Sequence, residues 1–536
     1  MSRPRLRASK PPRNTASGRG ITAQRGFSLM MVLVMIAVAT GALAVTLLSS
    51  FGTKLRSDRV TEQALAQAKE ALIAYAAADP NRPGELPCPD TNNNGQIDVG
   101  IDTSGSNCAA LVGRLPWVTL GIPDLRDGSG ERLWYALSNN FHANGSVPLN
   151  SDTPGQLTVT GITPDPNVVA IVFAPGPAIG SLAQSRTSAN ANTVSNYLEG
   201  ANATSTTNFV TGNASANFND RLITIKSAEI FRVVEKRVAH ELRPLINQYY
   251  SDWGRYPFAA PFMDPTDSNF RGALATDNGL LPVTNTSGFV NWNVPASSIN
   301  AGSVPFGSSC TQSGSALSCT AFVFASLGVG SAISMIAYAN NVGMAFVKPV
   351  PLSDISVPTS NLSNLAVSQY VDANGRGVIT VTGNLSTAIV FAGSITVAIA
   401  QPPQYSAWVT TAATSWITNN NWEYVIYYAV APSLAPNGGG SCTAAISPCS
   451  ATPPAPAANG CLSICDRTSG AVLNNVNALI VMDGGALSGQ IRPSSGLLDY
   501  LEADGNAYGN PSVADLIYEN KRVTATFNDQ PFALTP

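Results

Sequence analysis

NVVAIVFAPGPAIGSLAQSR (residues 167–186) and NVNALIVMDGGALSGQIR (475–492) follow one pattern. Each opens on Asn-Val, continues as an apolar run of strand length, turns at Gly-x-Ala and closes on Gln-x-Arg. Working outward, NYLEG (196–200) is matched by DYLEA (499–503), with Asn202 and Asn506 just beyond. Phe-Asn-Asp recurs at 218–220 and 527–529, and upstream LWYALS (133–138) is matched by IYYAVA (426–431). Matched blocks in a constant order are the signature of a duplicated unit. The front ends agree more loosely, PGELPCP and VGRLPW against GRYPFAAP and NGLLPV.

A helix is expected to lead each copy. In RSDRVTEQALAQAKEALIAYAAADP, Leu65, Ala68, Leu72 and Tyr75 share a face, and Pro80 ends the segment. In FRVVEKRVAHELRPLINQYYSDWG, Val234, Val238, Leu242 and Leu245 share a face, and Pro244 is expected to kink or divide the helix. The copies divide the chain at 51–226 and 227–536. The second carries an insertion near 290–420, rich in Ser, Thr, Val, Ala and Asn, whose apolar runs between Gly/Asn/Ser turns read as strands. SAISMIAYA fits strand or helix. The repeated Glu199/Arg186 and Glu502/Arg492 pairs are expected as buried salt bridges that fix each copy rather than as two active sites.

The 536 residues are 44% apolar but only 12% charged, about half the usual share, and the net charge is -3. No basic face is available for nucleic acid. Eight cysteines, Cys88, Cys108, Cys310, Cys319, Cys442, Cys449, Cys461 and Cys465, all follow residue 80, as expected of disulfides in an oxidising compartment. The expected bridges are Cys88–Cys108 and Cys310–Cys319, with the last four paired among themselves. No GxSxG, HExxH or P-loop occurs, and there are only two histidines, His142 and His240, so no enzyme activity is expected.

Before all of this, residues 27–48 (FSLMMVLVMIAVATGALAVTLL) carry no charge and are long enough for one bilayer crossing. Seven basic and no acidic residues precede them, which places the N-terminus in the cytoplasm and exports the remainder. The junction RGFSLMMVLVMIAV resembles that of type IV prepilins and type II secretion pseudopilins: a glycine, then Phe, a Ser-Leu pair and a long apolar run. The resemblance implies a leader of residues 1–26, cleavage by a prepilin peptidase between Gly26 and Phe27, and N-methylation of Phe27. It implies a filament-core segment at 27–50 and, behind it, pilin-like modules. Most members carry Glu at the fifth mature position, where this chain has Met31. That Glu is thought to neutralise a neighbouring subunit's amine in the apolar core; its loss suits a minor or tip position, because a buried unpaired charge is costly.

The fold class expected from these readings together is α+β. A long N-terminal transmembrane and amphipathic helix precedes two tandem helix-plus-antiparallel-sheet modules, the second with a β-rich insertion.

DTNNNGQID (90–98) places Asp90, Asn92, Asn94 and the Gln96 carbonyl at positions 1, 3, 5 and 7 of an EF-hand-like loop, with Gly95 at 6 and Asp98 at 9. These are candidate calcium ligands. Position 12 is Ile101, so the bidentate Glu is missing, and Asp102 follows it. The alternative is a polar turn between Cys88 and Cys108. No other cofactor is expected.

The function expected is a structural or assembly subunit, a minor pilin or pseudopilin of a type IV pilus or type II secretion filament. Its partners would be other pilins, the prepilin peptidase and the bacterial inner membrane, with the large domain periplasmic. The alternative is a membrane-tethered adhesin that uses the insertion.

Overall fold

A computed structural model describes residues 35–36, 54–100, 107–142, 147–253, 256–263 and 276–283. It further describes 292–399 with breaks at 297, 314–315, 340–354, 357–360 and 372–376, then 415–435, 441–442, 460–502 and 516–534.

The first copy begins with helix α1 (54–78), which buries Ala64, Leu65, Ala68, Leu72 and Ala76 along one stripe. Strands β1 (Val112–Arg114), β2 (Trp134–Leu137), β3 (Leu157–Gly161), β4 (Asp165–Ala174), β5 (Asn208–Thr211) and β6 (Arg221–Lys226) follow, with a single-turn helix α2 at Ala201–Thr204. They form one sheet, β1-β2-β4-β3-β5, with β6 also on β4. β4 reads as unbroken apolar sequence because both its faces are covered. Val169, Ala170, Val172 and Ala174 join the main core, while Val168, Ile171 and Phe173 meet Trp134, Tyr197 and Phe209 on the other side.

Helix α3 (Ser227–Trp253) opens the second copy and buries Val234, Val238 and Leu242, with Ile246 rather than Leu245 continuing the stripe. Pro244 lies inside this helix and does not divide it. Both Pro244 and His240, whose carbonyl loses its helical donor, face outward, where water can serve that carbonyl. β7 (Asn278–Leu280) comes next, and the insertion follows it. After a short helix α4 (Ser415–Asn419) come β18 (Ile426–Val430), β19 (Leu462–Asp466), β20 (Val472–Val476), β21 (Ala478–Met482), β22 (Ile517–Asn520) and β23 (Gln530–Ala533).

The repeated blocks occupy equivalent places. β7-β18-β21-β23 has the antiparallel order of β1-β2-β4-β6. The register repeats too: Trp134 faces Phe173 and Tyr135 faces Val172, as Tyr427 faces Val481 and Tyr428 faces Ile480. The parallel pair β3·β5 is matched by the parallel pair β19·β22.

The inserted strands are β8 (Trp292–Asn293), β9 (Ile299–Ala301), β10 (Val304–Phe306), β11 (Ser308–Ser313), β12 (Ala316–Val323), β13 (Ala332–Ala339), β14 (Ile355–Ser356), β15 (Leu362–Val371), β16 (Gly377–Leu385) and β17 (Gly393–Ile399). They make two sheets, β10-β9-β13-β16-β15 with β8 on β13, and β11-β12-β17-β14. The sheets close on a core of their own that includes Ile299, Leu317, Val323, Met335, Val381 and Val397. The ambiguous SAISMIAYA is strand, because its alternate residues Ile333, Met335 and Ala337 fill this core.

The expected fold is corrected on three counts. The described protein is strand-dominated, with twenty-three strands; its α-helix is confined to 35–36, α1, the long α3 and two short helices, beside single turns of 3-10 helix. Among the described residues no helix is long and apolar enough to cross a membrane. Finally, the copies are not separate helix-on-antiparallel-sheet modules. One core runs from Ala64 to Leu534, and each copy includes a parallel strand pair. The physical reason is that α1 and α3 pack into the same core: Lys69 Nζ pairs with Glu229 at 2.6 Å and donates to the Thr224 carbonyl, and Arg237 Nη1 donates to the carbonyl of Ala77, at the end of α1.

Candidate functional site

Gly26, Phe27 and Met31 lie outside the described residues, as does the apolar segment 27–48 apart from Met35 and Ile36, which are helical and exposed.

The duplicated blocks converge on a carboxylate in each copy. Glu199 Oε2 accepts from the backbone N–H groups of Asn219 and Asp220 at 3.0 and 3.2 Å, and Oε1 accepts from Gln184 Nε2 at 2.8 Å. Glu502 Oε2 accepts from the N–H groups of Asn528 and Asp529 at 3.0 and 3.2 Å, and Oε1 from Gln490 Nε2 at 2.8 Å. The exchange is reciprocal: the N–H of Glu199 donates to Asp220 Oδ2, and that of Glu502 to Asp529 Oδ2. Asn219 Nδ2 donates to the Pro177 carbonyl and Asn528 Nδ2 to the Gly485 carbonyl, both at 2.7 Å. Gly176 (φ +65) and Gly484 (φ +63) supply the left-handed turn beneath. A Cβ on Gly484 would lie 2.3 Å from Asn528 Nδ2, so the turn accepts only glycine.

The expected Glu–Arg salt bridges are not formed. Arg186 pairs with Glu131 at 3.3 Å and donates to the Gly176 carbonyl at 2.6 Å. Arg492 pairs with Asp152 at 2.8 Å and donates to the Gly484 carbonyl at 2.8 Å. Glutamine takes the glutamate instead, because the backbone turn draws each guanidinium the other way. Asp152 belongs to the first copy, so Arg492 ties the copies together. Ser151 Oγ adds a 2.6 Å bond to Glu235 Oε1 on α3. Asp483 stands where the first copy has Pro175. It is fully buried, lies 3.7 Å from Arg492 Nη1, and neither of its oxygens accepts a hydrogen bond; burial pushes its carboxyl well above the usual range. Sequence reasoning did not single out Asp152, Asp483 or Glu131; Asp483 lies within a repeated block, but Pro175 takes its place in the other copy.

The 90–98 loop is shaped by its own N–H groups. Asp90 Oδ1 accepts from Asn92, Asn93 and Asn94, and Oδ2 from Gly95 at 2.6 Å. Asn92 Oδ1 accepts from the Asn94 N–H and Asn94 Oδ1 from the Gln96 N–H. Asp98 Oδ2 accepts from Thr91 N–H, Thr91 Oγ1 and Asn92 N–H, and Oδ1 from Asn92 Nδ2. An sp² oxygen has two lone pairs. Asp90 Oδ1 is therefore saturated, while Asn92 Oδ1, Asn94 Oδ1 and Asp98 Oδ1 each keep capacity. Ile101 and Asp102 lie outside the described residues, and among the described residues no group of three or more His, Cys, Asp or Glu could hold a metal.

Among the described residues three disulfides are seen with both partners: Cys88–Cys108, Cys310–Cys319 across the β11–β12 hairpin, and Cys442–Cys461. Cys465 is also disulfide-bonded, and Cys449 lies outside the described residues. Cys88–Cys108 encloses the 90–98 loop. Replacing both cysteines by Ser is expected to lower unfolding stability by about 3 kcal/mol, since a loop of this size has that much closure entropy. Urea titration of the pair variant against the parent checks it.

Comparison with known proteins gives no match to this chain, whether among family models, curated proteins or solved structures.

Proposed function

We propose that this chain is a structural or assembly subunit, a minor pilin or pseudopilin, of a bacterial type IV pilus or type II secretion filament. Residues 27–48 would hold it in the inner membrane, with the body on the periplasmic side. The observation that carries this reading is the Gly26–Phe27 junction between a basic leader and an uncharged run long enough to span a bilayer. The disulfides support export to an oxidising compartment. Met31 in place of the usual acid favours a position with no neighbour above it. Mass spectrometry of chain isolated from a host with a prepilin peptidase tests the reading. The expected mature chain begins at N-methylated Phe27; a retained Met1, or cleavage beyond residue 48, overturns it.

A second reading, a membrane-tethered adhesin, is favoured by the separate core of the insertion. Removing 290–420 should then abolish attachment and leave assembly intact.

For the 90–98 loop we propose calcium in the form its donors allow. Asn92, Asn94, Asp98 and the Gln96 carbonyl would hold the cation, and Asp90 would fix the backbone. Calcium is then expected to raise the melting temperature, and Asp98→Asn to remove the rise. Equal melting in calcium and in chelator ends the proposal.

A further inference from the structure

One end of the inserted sandwich is a finger of two loops, 324–331 and 386–392. Phe322, Phe324, Val329, Val390 and Phe391 are each more than half exposed on or beside it. Phe324 and Phe391 pack edge to face, with centroids 6.4 Å apart. An apolar cluster of this kind at a protein's surface marks a binding site.

The chemistry around it narrows the partner. From Asn278 to Val347 and from Gly377 to Trp422 the sequence contains no Asp, Glu, Lys, Arg or His. Entry into hydrocarbon would therefore desolvate no charge in either stretch. Part of the finger's backbone is paired, across the two loops and to the strands that carry them. Leu327 and Ile389 exchange two N–H···O bonds of 2.9 Å, Gly330 donates to Leu385, Leu385 to Ser331, and Ala392 to Val323. Ala392 (φ +72) holds a left-handed turn next to Phe391. Neither loop contains a Tyr, Trp or Arg of the kind that anchors protein interfaces, and the exposed polar side chains on them are the small hydroxyls of Ser326, Ser386 and Thr387.

We propose that this finger inserts into the apolar region of an electrically neutral lipid bilayer. The proposal does not rest on the filament reading.

The test uses the full chain with an environment-sensitive fluorophore on Phe391→Cys, and a control label on Thr468→Cys, an exposed turn of the main body. The described native cysteines are all disulfide-bonded, so the new thiol is the one labelled. With phosphatidylcholine vesicles, the label at 391 is expected to brighten about twofold and to be quenched by brominated acyl chains, while the label at 468 is unchanged. Attachment through residues 27–48 would carry both labels to the membrane alike, so the difference reports the finger. Adding Phe324→Ser and Val390→Ser to the 391-labelled chain should abolish the rise; both positions are exposed, so the fold is spared. An unchanged label at 391 overturns the proposal. So does a rise that appears without vesicles and grows with protein concentration, which would make a second copy of the chain the occupant.

Discussion

Glu502→Ala is expected to lower the stability of the folded chain by about 3–5 kcal/mol, because it leaves three inward-facing donors without an acceptor. Those donors are the N–H groups of Asn528 and Asp529 and Gln490 Nε2, all within 3.2 Å of the carboxylate. Glu502 is buried, so water cannot replace it. Glu502→Gln keeps an acceptor for the two N–H groups but turns an amide donor toward Gln490, and is expected to cost about 1–2 kcal/mol. Glu199→Ala should match Glu502→Ala in size, since Glu199 accepts from the same three kinds of donor. The two carboxylates share no hydrogen-bond partner, so the double variant should lose the sum to within about 0.5 kcal/mol. Urea midpoints at constant slope measure all four variants. A cost below 1 kcal/mol for either alanine would show that the repeated Glu does not organise its turn.

Glu235→Gln is expected to flatten the dependence of stability on pH. Glu235 lies in the cross-copy contact, facing Ser151 and Asp152 from the first copy and Arg492 from the second. Burial raises its carboxyl from 4.5 to about 7, with Ser151 and Arg492 opposing the rise and Asp152 adding to it. Below about pH 4.5 the group is protonated whether the chain is folded or not, and its contribution is fully present. Between about pH 4.5 and 7 the unfolded chain releases the proton and the folded chain keeps it, so stability falls as pH rises, by about 3 kcal/mol in all. Glu85, raised to about 7, and Glu423, raised to about 8, tilt the profile the same way, in each case chiefly through burial. Gln accepts the Ser151 hydroxyl without a titrating proton. At pH 8 the variant should therefore be more stable than the parent by up to about 3 kcal/mol, with the difference vanishing near pH 4. Parallel profiles for the two proteins would mean that Glu235 does not titrate on folding.

The sequence by itself displays the repeated blocks and their punctuation. Asn-Val, the apolar run, the glycine turn and Phe-Asn-Asp are local, and each acts within a few residues: Gly176 and Gly484 take the left-handed turn without the strain another residue would meet. Two local disulfides were legible for the same reason, since Cys88–Cys108 and Cys310–Cys319 join close neighbours in the chain. The inserted strands could be read in outline from apolar runs between turns. The tertiary structure alone decided how the copies meet. A shared core is invisible to periodicity, because α1 and α3 each show one apolar stripe whether they face separate sheets or one common interior. Nor could spacing reveal that Arg492 would leave the glutamate ten residues away for Asp152, since only the fold brings together groups that far apart in the chain. Burial of Asp483 and Glu235, and with it the pH response, follows from that meeting of the copies.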